Sequence, residues 1–246
     1  MSTVVERRAH QQGQRRFYVG MSVAAAITVL VGFAPTFYLR GYLPMRPDQP
    51  SLSQLLIVHG IIGTAWIALF LVQTVLVASH RIQLHKRLGI VGGLVAITLV
   101  IVGMMTAVDA LRRDVGPFGI DPRTWFLSVP LAGTLLFGAL VAVALVKRRS
   151  PETHRRLMLL ATITLLNPAL GRLVGSYLGV GLSGFLLLIF LFTDFFVIIA
   201  VLYDLRTRGH AHPALVRGGF AVVVLQPVVL ALGTTSTFLT LANLFR

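Results

Sequence analysis

Cysteine is absent from the 246-residue chain, and acidic residues are scarce, with eight Asp and Glu against 22 Lys and Arg. The missing cysteine excludes disulfide bonds, iron–sulfur clusters and zinc sites built from thiolates. Charged residues make up only 12% of the chain, about half the share in soluble domains, whereas hydrophobic residues make up 56%. This balance excludes a soluble enzyme, a disordered segment and a collagen-like chain.

Lysine and glutamate are nearly missing as well, which removes two familiar classes of membrane protein. The only lysines, Lys86 and Lys147, lie in polar connectors, so no lysine within the membrane is present to form a retinal Schiff base. The only glutamates, Glu6 and Glu152, also lie outside the apolar stretches. The sequence therefore lacks the H-E-x-x-H helix of zinc proteases.

Seven apolar stretches are long enough to cross a bilayer as helices. A helix needs roughly 20 apolar residues to cross about 30 Å of hydrocarbon. We therefore expect an all-α fold, a seven-helix bundle that forms a single membrane domain over residues 17–246, after a basic cytoplasmic tail over residues 1–16. The predicted spans are residues 17–39, 53–78, 88–111, 124–146, 156–179, 183–205 and 215–240.

The basic residues between these stretches predict the orientation. With the N-terminus in the cytoplasm, fifteen Lys and Arg residues fall on the cytoplasmic side and six on the opposite side, and Arg172 lies within a span. Such an excess in short loops marks the cytoplasmic side, so the C-terminus is expected outside. The net charge of +14 then reflects topology and not nucleic-acid binding, and the lipid bilayer is the expected partner.

Histidine recurs where helices begin on the cytoplasmic side. His85, His154 and His212 each stand at the start of an outward-going helix, and His80 and His210 lie at a similar depth. Neutral imidazoles at one depth, with a carboxylate nearby, are typical ligands of haem b or a divalent metal. The predicted cofactor ligands are His80, His85, His154, His212 and Asp204.

The same histidine belt has two other interpretations. Helix N-termini flanked by Lys and Arg attract anions, which favours anionic lipid headgroups as partners. Basic residues also populate the membrane interface simply because they anchor helices and enforce orientation. In that case the histidines bind no ligand.

Polar residues within the spans predict a second site. His59, Arg172 and Asp194 lie at depths where a charged side chain is costly unless it is paired or hydrated. We therefore expect these groups to face the interior of the bundle, with Arg172 paired to Asp194 or Asp109. The predicted substrate or ion site consists of His59, Trp66, Arg172, Asp194 and Asn167.

One face of the second span has the pattern of a cavity wall. Counting from His59, Gly63 follows after four residues, Trp66 after seven and Gln73 after fourteen. These steps place the four residues on one side of a helix. The face therefore combines two polar side chains and an aromatic ring with a glycine.

A short motif in the same region resembles a known group of proteins. His85-Lys86-Arg87-Leu88-Gly89 follows a span that contains His59 and Gln73. This order is similar to the H…Q…HRxLG signature of the DUF2306-like group of bacterial membrane proteins, over residues 55–105. Lys86 stands where that group usually has Arg. The resemblance implies a bundle of seven or a similar number of helices in the bacterial cytoplasmic membrane, and no particular activity.

Three functions remain open on the sequence. The first is binding of haem b or a divalent metal by the histidine belt. The second is proton-coupled transport or ligand binding at the site around His59, Arg172 and Asp194, although clear inverted repeats are lacking. The third is an accessory membrane subunit whose interior charges only hold its shape.

Overall fold

A computed structural model describes residues 2–43, 52–112, 123–178 and 182–244, and within these segments the chain is helical without strands. Single π-helical turns extend α1 over Ala34–Tyr38 and α6 over Val174–Leu178. In chain order the helices are α1 (Ser2–Phe33), α2 (Gln54–Ala78), α3 (Ile82–Asp109), α4 (Trp125–Val146), α5 (Pro151–Thr164), α6 (Asn167–Leu173), α7 (Leu182–Arg208), α8 (Pro213–Gly233) and α9 (Ser236–Asn243).

Six helices of the described segments are long and apolar enough to cross a membrane. Each coincides with one of the predicted spans, which supports a multi-pass membrane protein. The predicted count of seven is not confirmed, because the fifth predicted span is not one continuous helix. The six spans are Gln11–Tyr38, Gln54–Ala78, Ile82–Asp109, Leu127–Val146, Gly184–Arg208 and Pro213–Gly233.

The fifth predicted span is divided into α5 and α6 next to Pro168. Proline has no backbone N–H, and its ring clashes with the carbonyl four residues earlier, so a straight helix cannot continue through it. Helical bonding resumes beyond the break, where the Leu170 N–H donates to the Leu166 carbonyl at 2.8 Å. The two pieces have 14 and seven residues, which is too short for either one to span a bilayer alone.

Helix α5 nevertheless lies at the centre of the bundle. It contacts α1, α4, α7 and α8, and every side chain from Leu159 to Thr164 is buried. A helix that is enclosed on all sides is typical of the core of a large bundle. The surrounding helices therefore shield α5, which lies just before the break, from the outer surface.

The outward surface of the bundle is strongly apolar. On α3, Ile90, Leu94, Ile97 and Ile101 recur three or four residues apart, and each exposes more than half of its surface. Such a continuous apolar stripe is unusual on a soluble monomer and is expected where helices contact lipid. Polar side chains are found inside instead, where Arg156 and Thr193 are almost completely buried.

Two features concern α1. It begins at Ser2, so from that residue onward the predicted cytoplasmic tail is helical and continuous with the first span. Near its other end α1 crosses α6 closely, because a Cβ atom on Gly32 would lie 2.4 Å from the Ala169 carbonyl oxygen. Glycine at this position lets the two backbones touch.

Candidate functional site

Several helix ends that carry histidine meet at one end of the bundle, which we call the basic end. The Arg15 side chain contacts His80, the ring of His85 faces that of His154, and Asp204 accepts a hydrogen bond from the His212 backbone. These contacts join α1 to the turn after α2, the first turn of α3 to that of α5, and the last turns of α7 to the start of α8. The basic end is defined by Arg15, His80, His85, His154, Asp204 and His212.

His85 and His154 form the one histidine pair seen among these residues. Their ring centroids lie 6.4 Å apart with an interplanar angle of 80°. The His154 Nδ1 atom lies 2.8 Å from the Ala144 carbonyl oxygen near the end of α4. Because a carbonyl only accepts hydrogen bonds, His154 carries its proton on Nδ1. In the neutral ring with this tautomer, Nε2 carries the lone pair that can coordinate a metal.

His85 is adjoined by a second buried polar group, the amide of Gln73. The amide packs over the same face of α3, since a Cβ atom on Gly89 would lie 3.9 Å from Gln73 Nε2. Neither His85 Nδ1 nor Gln73 Oε1 has a hydrogen-bond partner within the described segments, although both atoms are buried. Buried polar atoms without partners are rare and point to a missing ligand or hydrogen-bonding group.

Positive charge surrounds the histidine pair. Lys86 and Arg87 follow His85 directly, and Lys147, Arg148 and Arg149 connect α4 to the helix that carries the second histidine. All five side chains are exposed. Together with the N-termini of two helices, they create a region that favours anionic groups.

The other half of the basic end is a buried ion pair. Arg156 donates from Nε to Asp204 Oδ2 at 2.8 Å and from Nη2 to Oδ1 at 2.5 Å, and both residues are 1% exposed. The His212 N–H also donates to Asp204 Oδ2 at 3.0 Å. Because both oxygens of the carboxylate are engaged, we assign Asp204 to this ion pair and not to a cofactor site.

Glu152 extends the ion pair into a network that joins α5 to α7. It binds Arg155 at 2.5 Å, and its Oε2 atom accepts from both Arg156 and Arg208 at 2.7 Å. Burial raises the pKa of the Glu152 carboxyl, but the hydrogen bond from Arg156 and the charges of the three arginines outweigh burial and hold that pKa below its usual range. The spacing of four residues between Glu152 and Arg156 was a sequence signal for this contact.

His212 and His80 have structural roles of their own. His212 caps α8, where its Nδ1 atom accepts from the Ala214 N–H at 3.1 Å. Burial and the charges of Arg156 and Arg208 lower the pKa of His212, which keeps the ring neutral and able to accept. His80 occupies the turn after α2 with a positive φ of 63° and contacts Arg15.

The predicted divalent metal site is not seen. Within residues 2–43, 52–112, 123–178 and 182–244, no three His, Asp or Glu side chains come together in a way that could hold a metal ion. The histidines of the belt do not form one site, because His212 bonds to Ala214 and Asp204 and His80 contacts Arg15. His85 and His154 alone remain as a potential ligand pair.

The residues of the second predicted site are divided between two places. His59 lies close enough to Arg172 for the two side chains to interact electrostatically. It also packs near α3 and α4, since a Cβ atom on Gly103 would lie 3.7 Å from His59 Cε1 and 3.2 Å from Thr134 Oγ1. The structure therefore brings His59 and Arg172 into one region of the interior.

Asp194 and Asn167 lie in the other place, between α6, α7 and α8. Gln226 Nε2 donates to Asp194 Oδ1 at 2.8 Å, and the Thr193 hydroxyl donates to Asn167 Oδ1. Asp194 thus bonds to α8, and no ion pair between Asp194 and Arg172 is seen among the described residues. The Arg172 guanidinium is turned toward α1, where it lies 4.4 Å from the Phe33 ring centroid.

Trp66 is the last residue of the second predicted site. It is 2% exposed, and its ring meets Phe137 edge to face at a centroid distance of 4.8 Å. Its Nε1 atom and the Nδ1 atom of His59 are both buried without a partner in the part of the chain that the structure describes. The two residues that the sequence pattern placed on one helix face, His59 and Trp66, therefore each carry a buried nitrogen without a hydrogen-bond partner among the described residues.

No family model, curated protein or solved structure matches the chain. The resemblance to the DUF2306-like group consequently rests on the motif around His85. Functional interpretation depends on the geometry of the two histidine regions.

Proposed function

We propose that the protein is a membrane haem b protein in which His85 and His154 hold the iron. The single observation that carries this proposal is the distance between the two rings. Two imidazoles that each coordinate one metal ion at about 2.0 Å place their centroids roughly 6 Å apart. The observed separation is 6.4 Å, on helices that begin at the same end of the bundle.

The hydrogen bonds around the pair support the same role. Histidine ligands usually donate their other ring N–H to a carbonyl or carboxylate, which fixes the tautomer and the orientation of the ring. His154 already donates to the Ala144 carbonyl in this way. For His85 the Gln73 backbone carbonyl is an acceptor close to the ring, and Gln73 Oε1 is a further buried acceptor without a partner among the described residues.

The charge of the site is also appropriate. The two carboxylates of haem b require positive partners, and the exposed Lys86, Arg87 and Lys147 supply them at the basic end. Held by His85 and His154, haem b would supply one-electron transfer and not oxygen activation. Electron transfer near the cytoplasmic membrane surface is therefore the activity that this arrangement favours.

The test is to titrate haemin into the detergent-purified protein and follow the absorption spectrum. We expect one low-spin haem per chain, and loss of that spectrum in His85→Ala and His154→Ala. The matched control is His210→Ala, because His210 is exposed at the same end of the bundle but faces no second histidine. A folded wild-type protein that takes up no haem, or equal uptake in all three variants, would overturn the proposal.

We further propose that the N-terminus lies in the cytoplasm and the C-terminus outside a bacterial cytoplasmic membrane, with α5 and α6 together forming the seventh crossing. The distribution of basic residues and the resemblance to the DUF2306-like group support this arrangement. A broken helix is tolerated at membrane depth when other helices surround it, as they surround α5. The exposed basic side chains would then face anionic lipid headgroups.

Ligand binding or transport is the second candidate function. The observation in its favour is the break between α5 and α6, since discontinuous helices line the binding sites of many transporters. Proton coupling through the predicted cluster is less favoured, because Asp194 is bonded to Gln226. A folded protein without haem uptake would make this candidate, or that of an accessory subunit, the better explanation.

A further inference from the structure

One face of α2 presents two buried nitrogen atoms that lack partners. Trp66 Nε1 and His59 Nδ1 are both shielded, and neither forms a hydrogen bond within the described residues. Seven residues separate them, which corresponds to about 10 Å along a helix axis. Indole nitrogen is a donor only, so nothing but an acceptor atom can satisfy Trp66.

Gly63 lies between these two residues and faces open space. A Cβ atom built on Gly63 would have no heavy atom within 4 Å. Gly60, less than one turn away, differs sharply, because a Cβ atom there would lie 2.5 Å from the Phe37 ring. The face of α2 therefore has a recess at Gly63 with one unsatisfied nitrogen on either side of it along the helix.

The surroundings of the recess define what it can accept. Gly63 itself is partly exposed and lies within the apolar span Gln54–Ala78, so the recess is reached at membrane depth. At its inner side His59 lies in the field of the Arg172 guanidinium. An occupant must therefore be soluble in the membrane and must bring oxygen acceptors to a region rich in donors.

We propose that this recess binds a quinone. A quinone is a flat ring with acceptor oxygens at opposite edges, so it matches donors placed above and below a glycine. Its apolar tail remains in the bilayer. The proposal goes beyond the haem site and does not depend on it, since none of its residues belongs to the His85–His154 pair.

The two tryptophans of the chain allow a direct binding measurement. Trp125→Phe leaves Trp66 as the only indole, and a short-chain ubiquinone analogue is then titrated into the purified protein while indole fluorescence is recorded. We expect saturable quenching. In the same background, Gly63→Leu fills the recess and should raise the dissociation constant at least tenfold. The matched control is Gly20→Leu, because Gly20 on α1 also has open space at its Cβ position.

Two further measurements complete the test. His59→Leu should weaken binding about fivefold by removal of one hydrogen bond, with thermal unfolding used to verify that the variant is folded. Quenching that never saturates, or that is equal in Gly63→Leu and Gly20→Leu, would overturn the proposal. Oleate that displaces the quinone at equal concentration would also overturn it, since the recess would then be a fatty-acid site. Haem uptake is recorded on the same samples, so the two proposals fail separately.

Discussion

Arg156 is the residue with the strictest requirement for partners, because its guanidinium is almost completely buried. Asp204 satisfies it in a bidentate pair, and Glu152 adds a third charge-assisted bond. Removal of one partner from such a pair leaves an uncompensated charge, which costs far more than the intact pair contributes. The two carboxylates are unequal in this respect, since Glu152 is 39% exposed and can be replaced by water.

The first prediction concerns this inequality. Asp204→Asn should lower the free energy of unfolding by about 3–5 kcal/mol, because it leaves the buried Arg156 without its main counter-charge. Glu152→Gln serves as the control and should cost less than about 1 kcal/mol, as expected for an exposed ion pair. Unfolding by sodium dodecyl sulfate in mixed micelles measures both values. Equal losses in the two variants would show that Asp204 is not the principal partner of Arg156.

The second prediction concerns pH and His212, whose pKa is lowered by burial and by Arg156 and Arg208, while Asp204 and Glu152 oppose the shift. The folded protein therefore binds fewer protons at this ring than the unfolded chain does. Stability from His212 is complete above about pH 6.5, the pKa of free histidine, and is lost as the pH falls through and below that value. Protonation of Nδ1 also removes the acceptor that caps α8.

We expect the melting temperature of the wild type to fall between pH 7 and pH 5.5. His212→Asn keeps a capping oxygen but has no titrating group in this range, so its melting temperature should vary less with pH. Glu152 does not interfere, because its lowered pKa restricts its contribution to more acidic conditions. Parallel pH profiles for the two proteins would contradict this account.

The sequence indicated which residues are unusual, but not which of them pair. Asp204 and Asp194 were both expected at sites on the basis of their depth. Depth does not specify the direction in which a side chain points, and Asp204 points to Arg156 while Asp194 points to Gln226. Only contacts within one helix, such as Glu152 with Arg156, can be derived from spacing.

Helices are the scale at which the sequence was most informative. Long apolar stretches define α2, α3 and α7 because nearly every residue of a membrane span must be apolar. Mean hydropathy is averaged over a window of residues, however, so it does not show where a helix is interrupted within an apolar stretch. Pro168 was the local signal that divides α5 from α6, and the consequence for the count of crossings appears only in the structure.

The third prediction tests the crossing of α1 and α6. Gly32→Ala should lower the free energy of unfolding by about 1–3 kcal/mol, because the added methyl group would overlap the Ala169 carbonyl and a backbone atom cannot move aside. The control is Gly20→Ala, which adds a methyl group in open space on the same helix. That change should be neutral or stabilising by up to about 1 kcal/mol. Equal behaviour of the two variants would exclude a tight crossing.

Taken as a whole, the bundle places the exposed basic loops at one end, and this asymmetry predicts its orientation in a membrane. The absence of cysteine makes a clean test possible. Ser150→Cys at the start of α5 should resist a membrane-impermeant maleimide in intact cells, whereas Ser53→Cys at the start of α2 should react. Both serines are exposed and precede a helix, so they form a matched pair. The reverse pattern would invert the proposed topology.

The contact between His85 and His154 is a property of the whole bundle, because it depends on which helices pack next to each other. His85 and His154 are 69 positions apart in the chain and share only a motif of a few residues. They meet because α4 contacts both α3 and α5, and its last turn supplies the carbonyl that orients His154. Equal depth could be predicted from the sequence, but adjacency could not.

The central position of α5 has a consequence for biosynthesis. Arg156 leaves the ribosome 48 residues before Asp204, so the largest fully buried side chain of the described residues is synthesised before its main partner. Glu152, only four residues earlier, is the acidic partner of Arg156 that has already been synthesised during that interval. Its exposed carboxylate can therefore serve as the counter-ion of Arg156 until Asp204 on α7 has been synthesised.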